Sequence, residues 1–88
     1  MKKLEDAILR LKFDKDDDYS YGQLEAIRFC IRKHQEGWTL KDFKQELNRS
    51  LSMNIYDGYV KGIISGFKYN IKIMEEIEDE QTSYANTI

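Results

Sequence analysis

Residues 58–74 have the sequence GYVKGIISGFKYNIKIM, and this stretch dominates the C-terminal half of the chain. Its apolar residues recur every three or four positions, the spacing of one face of an α-helix. The members of this stripe are Val60, Ile63, Ile64, Phe67, Ile71 and Met74. The chain contains no proline, so no residue opposes a helix by lacking an N–H group. The stretch therefore predicts a long helix over about residues 55–78.

Three shorter helices are predicted ahead of this one. Apolar residues at helical spacing place them at 3–13, 20–35 and 39–49. Residues 81–88 are small and polar, and we expect them to form a disordered tail. The sequence thus predicts an all-α bundle of four helices in a single domain, residues 1–80. Its expected core side chains are Leu4, Ile8, Leu11, Leu24, Ile27, Ile31, Trp38, Leu40, Phe43, Leu47, Val60, Ile63, Phe67 and Ile71.

The start of the third helix carries two signals that support each other. Thr39 followed by Asp42 has the spacing of a capping box, in which each side chain bonds the other residue's backbone N–H. Trp38 and Phe43 flank this pair at the spacing of a hydrophobic staple. Together they predict that the helix begins directly after Thr39.

The other helix ends are marked less strongly. Ser20, with Gln23 three residues later, predicts the N-cap of the second helix. Gly37 is suited to end that helix, because glycine adopts the left-handed conformation found after a C-cap. Asn54 followed by Asp57 predicts the N-cap of the long helix.

A second face of the long helix carries three glycines. Gly58, Gly62 and Gly66 lie on one line, nearly opposite the apolar stripe. Each interior glycine costs about 0.8–1 kcal/mol relative to alanine, so the line needs a reason. Either a partner's backbone approaches the helix there, or helix 1 or helix 2 of this chain packs against it. A bend of the helix near Gly66 is a further alternative.

Aromatic and acidic residues extend this face and make it a candidate interface. Tyr69 and Ile73 continue the glycine line and Tyr59 lies at its edge, where aromatic anchors would favour protein binding. Glu75 and Glu76 begin an acidic run that either meets a basic partner or stays as a solvated helix end. The predicted partner-binding residues are Gly58, Tyr59, Gly62, Gly66, Tyr69, Ile73, Glu75 and Glu76.

Residues 19–28, with the sequence YSYGQLEAIR, carry a family resemblance. They resemble the Y/F-x-x-x-Q-M/L-x-x-I-R unit of uncharacterised helical repeat proteins from low-GC Gram-positive bacteria, their phages and mobile elements. A weaker second copy lies 36 residues later, where Tyr59 replaces the glutamine and Ile64 the arginine. The resemblance implies a phage or mobile-element setting and brings no known activity.

No set of residues has the spacing of a catalytic or metal site. Cys30 and His34 lie one helical turn apart, but zinc needs three or four ligands and the chain has one cysteine and one histidine. The acidic segment 14–18 is not followed by the glycine and glutamate of a calcium loop. We therefore expect no enzyme activity, no metal, no cofactor and no small-molecule substrate.

Composition limits the surroundings in which the protein works. A single cysteine excludes an internal disulfide and suits a reducing compartment. Glu5 and Asp6 interrupt any export signal, and no stretch approaches the roughly 20 apolar residues that cross a bilayer. We expect a cytoplasmic protein that does not enter the membrane.

Two functions remain open at this point. The leading interpretation is a small regulatory or inhibitory protein that docks onto a larger host protein, with a homodimer as a related possibility. The alternative is a helix-turn-helix DNA-binding regulator that uses the helices at 39–49 and 55–78. Residues 41–72 carry six basic and three acidic side chains, which favours it. A net charge of −2, a long connecting turn and Asp57 at the helix start count against it.

Overall fold

A computed structural model describes the backbone of residues 2–10, 16–53 and 57–86, and the side chains of residues 3–9, 16–53 and 57–77. Within these residues it contains four α-helices and no β-strand. The helices are α1 (Lys2–Arg10), α2 (Asp18–Gln35), α3 (Leu40–Leu51) and α4 (Gly58–Asn86). The prediction of an all-α, four-helix architecture is confirmed.

The start of α2 corrects one predicted cap. Asp17 is the N-cap, and its carboxylate accepts a hydrogen bond from the backbone N–H of Tyr19 at 3.3 Å. The predicted cap, Ser20, instead lies buried in the first turn of the helix. Aspartate is as good an N-cap as serine, so the earlier residue starts the helix.

α4 begins and ends later than predicted. Asp57 precedes it, and its Oδ1 accepts the N–H of Val60 at 2.9 Å, which is the geometry of an N-cap. The predicted cap Asn54 lies outside the described residues. The predicted tail, residues 81–88, overlaps the end of α4.

Gly37 ends α2 as predicted. Its φ is +89°, in the left-handed region that glycine adopts without strain. Its N–H donates to the carbonyl of His34 at 3.1 Å, and the N–H of Trp38 donates to the carbonyl of Lys33 at 3.0 Å. These two bonds form a Schellman motif, which turns the chain sharply into α3.

The predicted capping box and staple of α3 are confirmed. The N–H of Thr39 donates to the Asp42 carboxylate at 2.8 Å, and the N–H of Asp42 donates to the Thr39 hydroxyl at 3.4 Å. The rings of Trp38 and Phe43 pack with their centroids 5.3 Å apart. The turn is therefore fixed by local chemistry on both sides.

α2 and α4 form the central pair of the fold. Gly22 on α2 lies against the carbonyl oxygen of Tyr59, and Gly62 on α4 lies against the carbonyl oxygen of Tyr19. Contacts advance together along both helices, from Gly22 near Ile63, through Ala26 near Gly66, to His34 bonded to Asn70, so the two helices run in the same direction. Residues that face each other across this contact are about 40 positions apart in the sequence. This separation exceeds the 36-residue offset of the sequence repeat by about one helical turn.

Gly66 continues this contact one turn further along α4. A Cβ atom at this position would lie 2.6 Å from the Cβ of Ala26 on α2, closer than packed side chains approach. A series of small residues on each helix thus lets the two backbones approach. We call this contact the seam. Its lining residues are Gly22, Ala26 and His34 on α2, and Gly58, Gly62, Gly66 and Asn70 on α4.

Two side-chain hydrogen bonds cross the same contact. The amide of Gln23 donates to the hydroxyl of Ser65 at 3.0 Å. Nε2 of His34 donates to Oδ1 of Asn70 at 2.7 Å, which satisfies an amide side chain that is fully buried. A buried amide without a partner would cost free energy, so this bond favours one alignment of the two helices.

The core confirms part of the predicted set. Six predicted residues are buried, namely Leu4, Leu24, Ile27, Phe43, Phe67 and Ile71. Seven are half-buried, namely Ile8, Ile31, Trp38, Leu40, Leu47, Val60 and Ile63. Leu11 lies outside the described residues. The buried hydrophobic residues beyond the predicted set are Ala7, Ala26, Cys30, Ile64 and Ile73.

Replacing Gly62 with alanine tests the seam. The added methyl group would meet the backbone of α2, so we expect Gly62→Ala to lower the free energy of unfolding by about 1–3 kcal/mol. Thermal unfolding would show this as a fall in Tm of roughly 4–8 °C per kcal/mol.

Gly58→Ala is the matched control on the same helix. A Cβ there would lie 3.6 Å from the Cβ of Asp18, an ordinary contact, so its stability should stay within about 0.5 kcal/mol of wild type. Equal melting temperatures for the two variants would show that the backbones do not meet at Gly62.

Candidate functional site

The structure places part of the predicted partner surface inside the fold. Gly62, Gly66 and Ile73 are buried. The two glycines face α2, which is the internal alternative considered for the glycine line. The expectation that a partner contacts these three residues is therefore corrected, because α2 and the apolar core already occupy that face.

The remaining predicted residues do not form one surface. Gly58 is exposed beside α2, whereas Glu75 pairs with Lys44 of α3 at 3.1 Å. Tyr69 and Glu76, together with Ile73, line a depression on another side of α4 whose lining is more polar than apolar. Tyr59 is the member that lines a more apolar site.

That site is a groove between α2 and α3, with α4 as its floor. Its volume is about 370 Å³, within the range of small binding pockets. The floor is formed by Val60, Ile63 and Phe67 of α4, and the walls include Phe29 of α2 and Met53 at the end of α3. Most of the lining side chains are therefore apolar, and the groove is open to solvent along its length.

Aromatic contacts near the Gly37 turn explain why the groove stays open. Phe29 packs on Trp38 with centroids 5.7 Å apart, and His34 packs on Phe43 at 4.6 Å. These rings join α2 to the beginning of α3. Farther along, α3 packs on α4 rather than on α2, and the floor between the two helices is left uncovered.

Charged side chains stand on the rim of the groove. Glu25 and Arg32 lie on the α2 wall, and Glu46 lies on the α3 wall. Glu25 forms a loose ion pair with Arg28 at 3.6 Å, and both side chains are substantially exposed. The Arg32 guanidinium lies 6.0 Å from the Phe29 ring centroid, at the limit of a cation–π contact.

The mouth of the groove carries tyrosine and methionine. Tyr21 packs on Tyr59 with ring centroids 5.8 Å apart, and Met53 is 51% exposed. Burial, then the negative charge of Glu25 and the neighbouring Tyr21, raise the pKa of Tyr59, so its phenol stays protonated at neutral pH. Protein interfaces are enriched in both residue types, so this end favours contact with another protein.

The thiol and imidazole side chains, which could act in chemistry, do not line the groove. Cys30 is fully buried, and His34 is engaged with Asn70 across the seam. Among the described residues, no group of three or more histidine, cysteine, aspartate or glutamate side chains could hold a metal ion. None of the described helices is both long and apolar enough to cross a membrane.

Comparison with models of protein families, with curated proteins and with solved structures finds no match to this chain.

The sequence contained one signal for this groove. Phe29 stands apart from the α2 stripe of Leu24, Ile27 and Ile31, so a large aromatic side chain had no assigned place in the predicted core. Met53 gave no comparable signal, because its exposure depends on where α3 ends relative to α4.

The burial of Cys30 leads to a test of the core. Burial raises the pKa of this thiol from 9.0 to about 12, so at pH 8 its thiolate fraction falls about a thousandfold. We expect Ellman's reagent to leave Cys30 unmodified in the native protein and to modify it fully in 6 M guanidinium chloride. Rapid modification of the folded protein would show that the thiol is accessible.

Proposed function

We propose that this protein is a small, non-enzymatic regulatory protein that docks onto a larger protein through the groove between α2 and α3. The apolar floor carries the proposal, because Val60 and Ile63 are only half-buried there, beside the buried Phe67. An apolar groove with a polar rim is the usual form of a binding site, because covering it removes apolar surface from water.

Magnitudes indicate how much of the binding the groove can supply. Fully burying one large apolar side chain contributes about 1.5–3 kcal/mol, and a groove of this size holds two or three of them. Association costs about 4–15 kcal/mol in lost translational and rotational freedom. The groove alone would thus give weak binding, and contacts with Tyr21, Tyr59 and Met53 at its mouth would have to add to it.

The resemblance of residues 19–28 to repeat proteins of phages and mobile elements supports a setting for this activity. In such a setting the larger partner would be a host protein. Docking would then alter the partner by covering one of its surfaces, since we propose no catalysis for this chain.

Val60→Glu tests the proposal directly. Val60 is half-buried on the groove floor, so a carboxylate there would lose its hydration whenever a partner covers the groove. We expect the wild-type chain to capture a protein from host lysate, and the variant to bind that same purified protein at least about tenfold more weakly. Titration calorimetry would measure the difference.

The neighbouring substitution Lys61→Glu is the matched control, because Lys61 is exposed and does not line the groove. It should bind like wild type, and both variants should keep their helical circular dichroism. Equal binding by Val60→Glu would place the interface elsewhere. Sedimentation showing a wild-type dimer that Val60→Glu dissociates would identify a second copy as the partner.

A second candidate function, DNA binding, is favoured by one observation on α4. Lys61, Lys68 and Lys72 are all exposed and lie within about 40° of one another around the helix axis. They face away from the seam, where a phosphate backbone could reach them. The same helix offers no arginine for bidentate contact with guanine, so any such binding would have little sequence specificity.

Salt-dependent binding of a labelled DNA duplex tests this candidate. Three phosphate contacts predict that log K falls with log salt concentration with a slope of about −2 to −3. Lys68→Glu/Lys72→Glu should abolish binding, whereas Lys41→Glu/Arg49→Glu, with the same change in net charge on exposed residues of α3, should retain it. Absence of binding at low salt would eliminate this candidate.

A further inference from the structure

We infer that the segment bound in the groove is an amphipathic α-helix of the partner, with lysine or arginine beside its apolar stripe. This inference rests on the proposed docking function and specifies what the groove recognises. The length of the groove, the hydrogen-bonding state of its walls and the charges on its rim each support it.

The groove has the length of two helical turns. Its α2 wall extends from Glu25 to Arg32, and its α4 floor extends from Val60 to Phe67. Each span covers eight residues, that is seven steps of the helical rise, or about 10.5 Å. A bound helix would therefore place three apolar side chains, at positions i, i+3 or i+4, and i+7, along the floor.

The walls favour a helix over an extended peptide. α2 and α4 consist of helix over this length, and the backbone groups inside a helix are already hydrogen-bonded. Ser50, a polar side chain in the α3 wall, donates its hydroxyl to the carbonyl of Glu46 at 3.1 Å. An extended peptide would leave its own N–H and C=O groups unpaired against this apolar floor, whereas a helix satisfies its own.

The rim charges favour a basic partner helix. Glu25 and Glu46 stand on opposite walls, and Arg32 is the basic side chain that lines the groove among the described residues. Glu46 makes no ion pair within the part of the chain that the structure describes, and the Glu25–Arg28 pair is loose. Both carboxylates can therefore accept hydrogen bonds from lysine or arginine flanking an apolar stripe.

A displayed library of random 16-residue peptides provides the test. The full chain is immobilised, and peptides that also bind Val60→Glu are removed. We expect the enriched peptides to share apolar residues at i, i+3 or i+4, and i+7, with an excess of lysine and arginine next to them. Synthetic copies should become helical on binding, as measured by circular dichroism.

Two charge variants separate the basic preference from the helical one. Glu25→Gln/Glu46→Gln should weaken the enriched peptides about tenfold at low salt. Glu5→Gln/Glu76→Gln, which removes two exposed carboxylates that do not line the groove, should not. Equal binding by both variants would overturn the charge assignment.

The remaining outcomes are equally decisive. Enriched peptides whose apolar residues lack helical spacing, or that carry proline in the apolar stripe, would overturn the inference that the bound segment is a helix. If no peptides bind the wild-type chain in preference to Val60→Glu, the whole inference is overturned. The proposed docking function is tested independently of these peptides. Its test is whether a host protein captured by the wild-type chain binds Val60→Glu more weakly.

Discussion

The approach of α2 and α4 backbones is the constraint on which the rest of the structure depends. Gly22 and Gly62 each make room for a carbonyl group of the opposite helix, so no large side chain can lie between the two. The apolar side chains of both helices are displaced to the two flanks of the seam. Leu4 of α1 and Phe43 of α3 both join the core cluster that these side chains form. α3 covers its flank incompletely, and the groove is what remains.

The seam changes character along its length. Gly62 contacts the backbone of α2, and Gly66 contacts the methyl group of Ala26. At Asn70, a hydrogen bond to His34 bridges the two helices. Side chains thus become larger toward the C-terminal ends of the pair. The two interior glycines of α4, Gly62 and Gly66, together cost about 2 kcal/mol of helix propensity, a large amount for a domain this small. Packing along α2 has to offset that cost, which explains why the glycines are concentrated on one line.

Local chemistry could be predicted from the sequence and non-local packing could not. The Thr39 box, the Trp38–Phe43 staple and the Gly37 stop depend on residues within five positions of one another, so pattern alone identified them. The glycine line was recognised, but its neighbour was not determined, because any helix or partner that approaches closely would require the same residues. Ser20 was mistaken for a cap because Asp17 offers equivalent chemistry three residues earlier.

The groove poses a stability question that packing alone does not answer. A domain of this size is stabilised by only about 5–15 kcal/mol, and an uncovered apolar floor forgoes stability and risks aggregation. Closing the groove would require α3 to pivot about the rings of Trp38 and Phe43, which the capping box and the Schellman turn hold in place. The strongest local signals in the sequence therefore hold α3 away from α2. The groove that we propose as a binding site is therefore formed in advance, which would lower the ordering cost of binding.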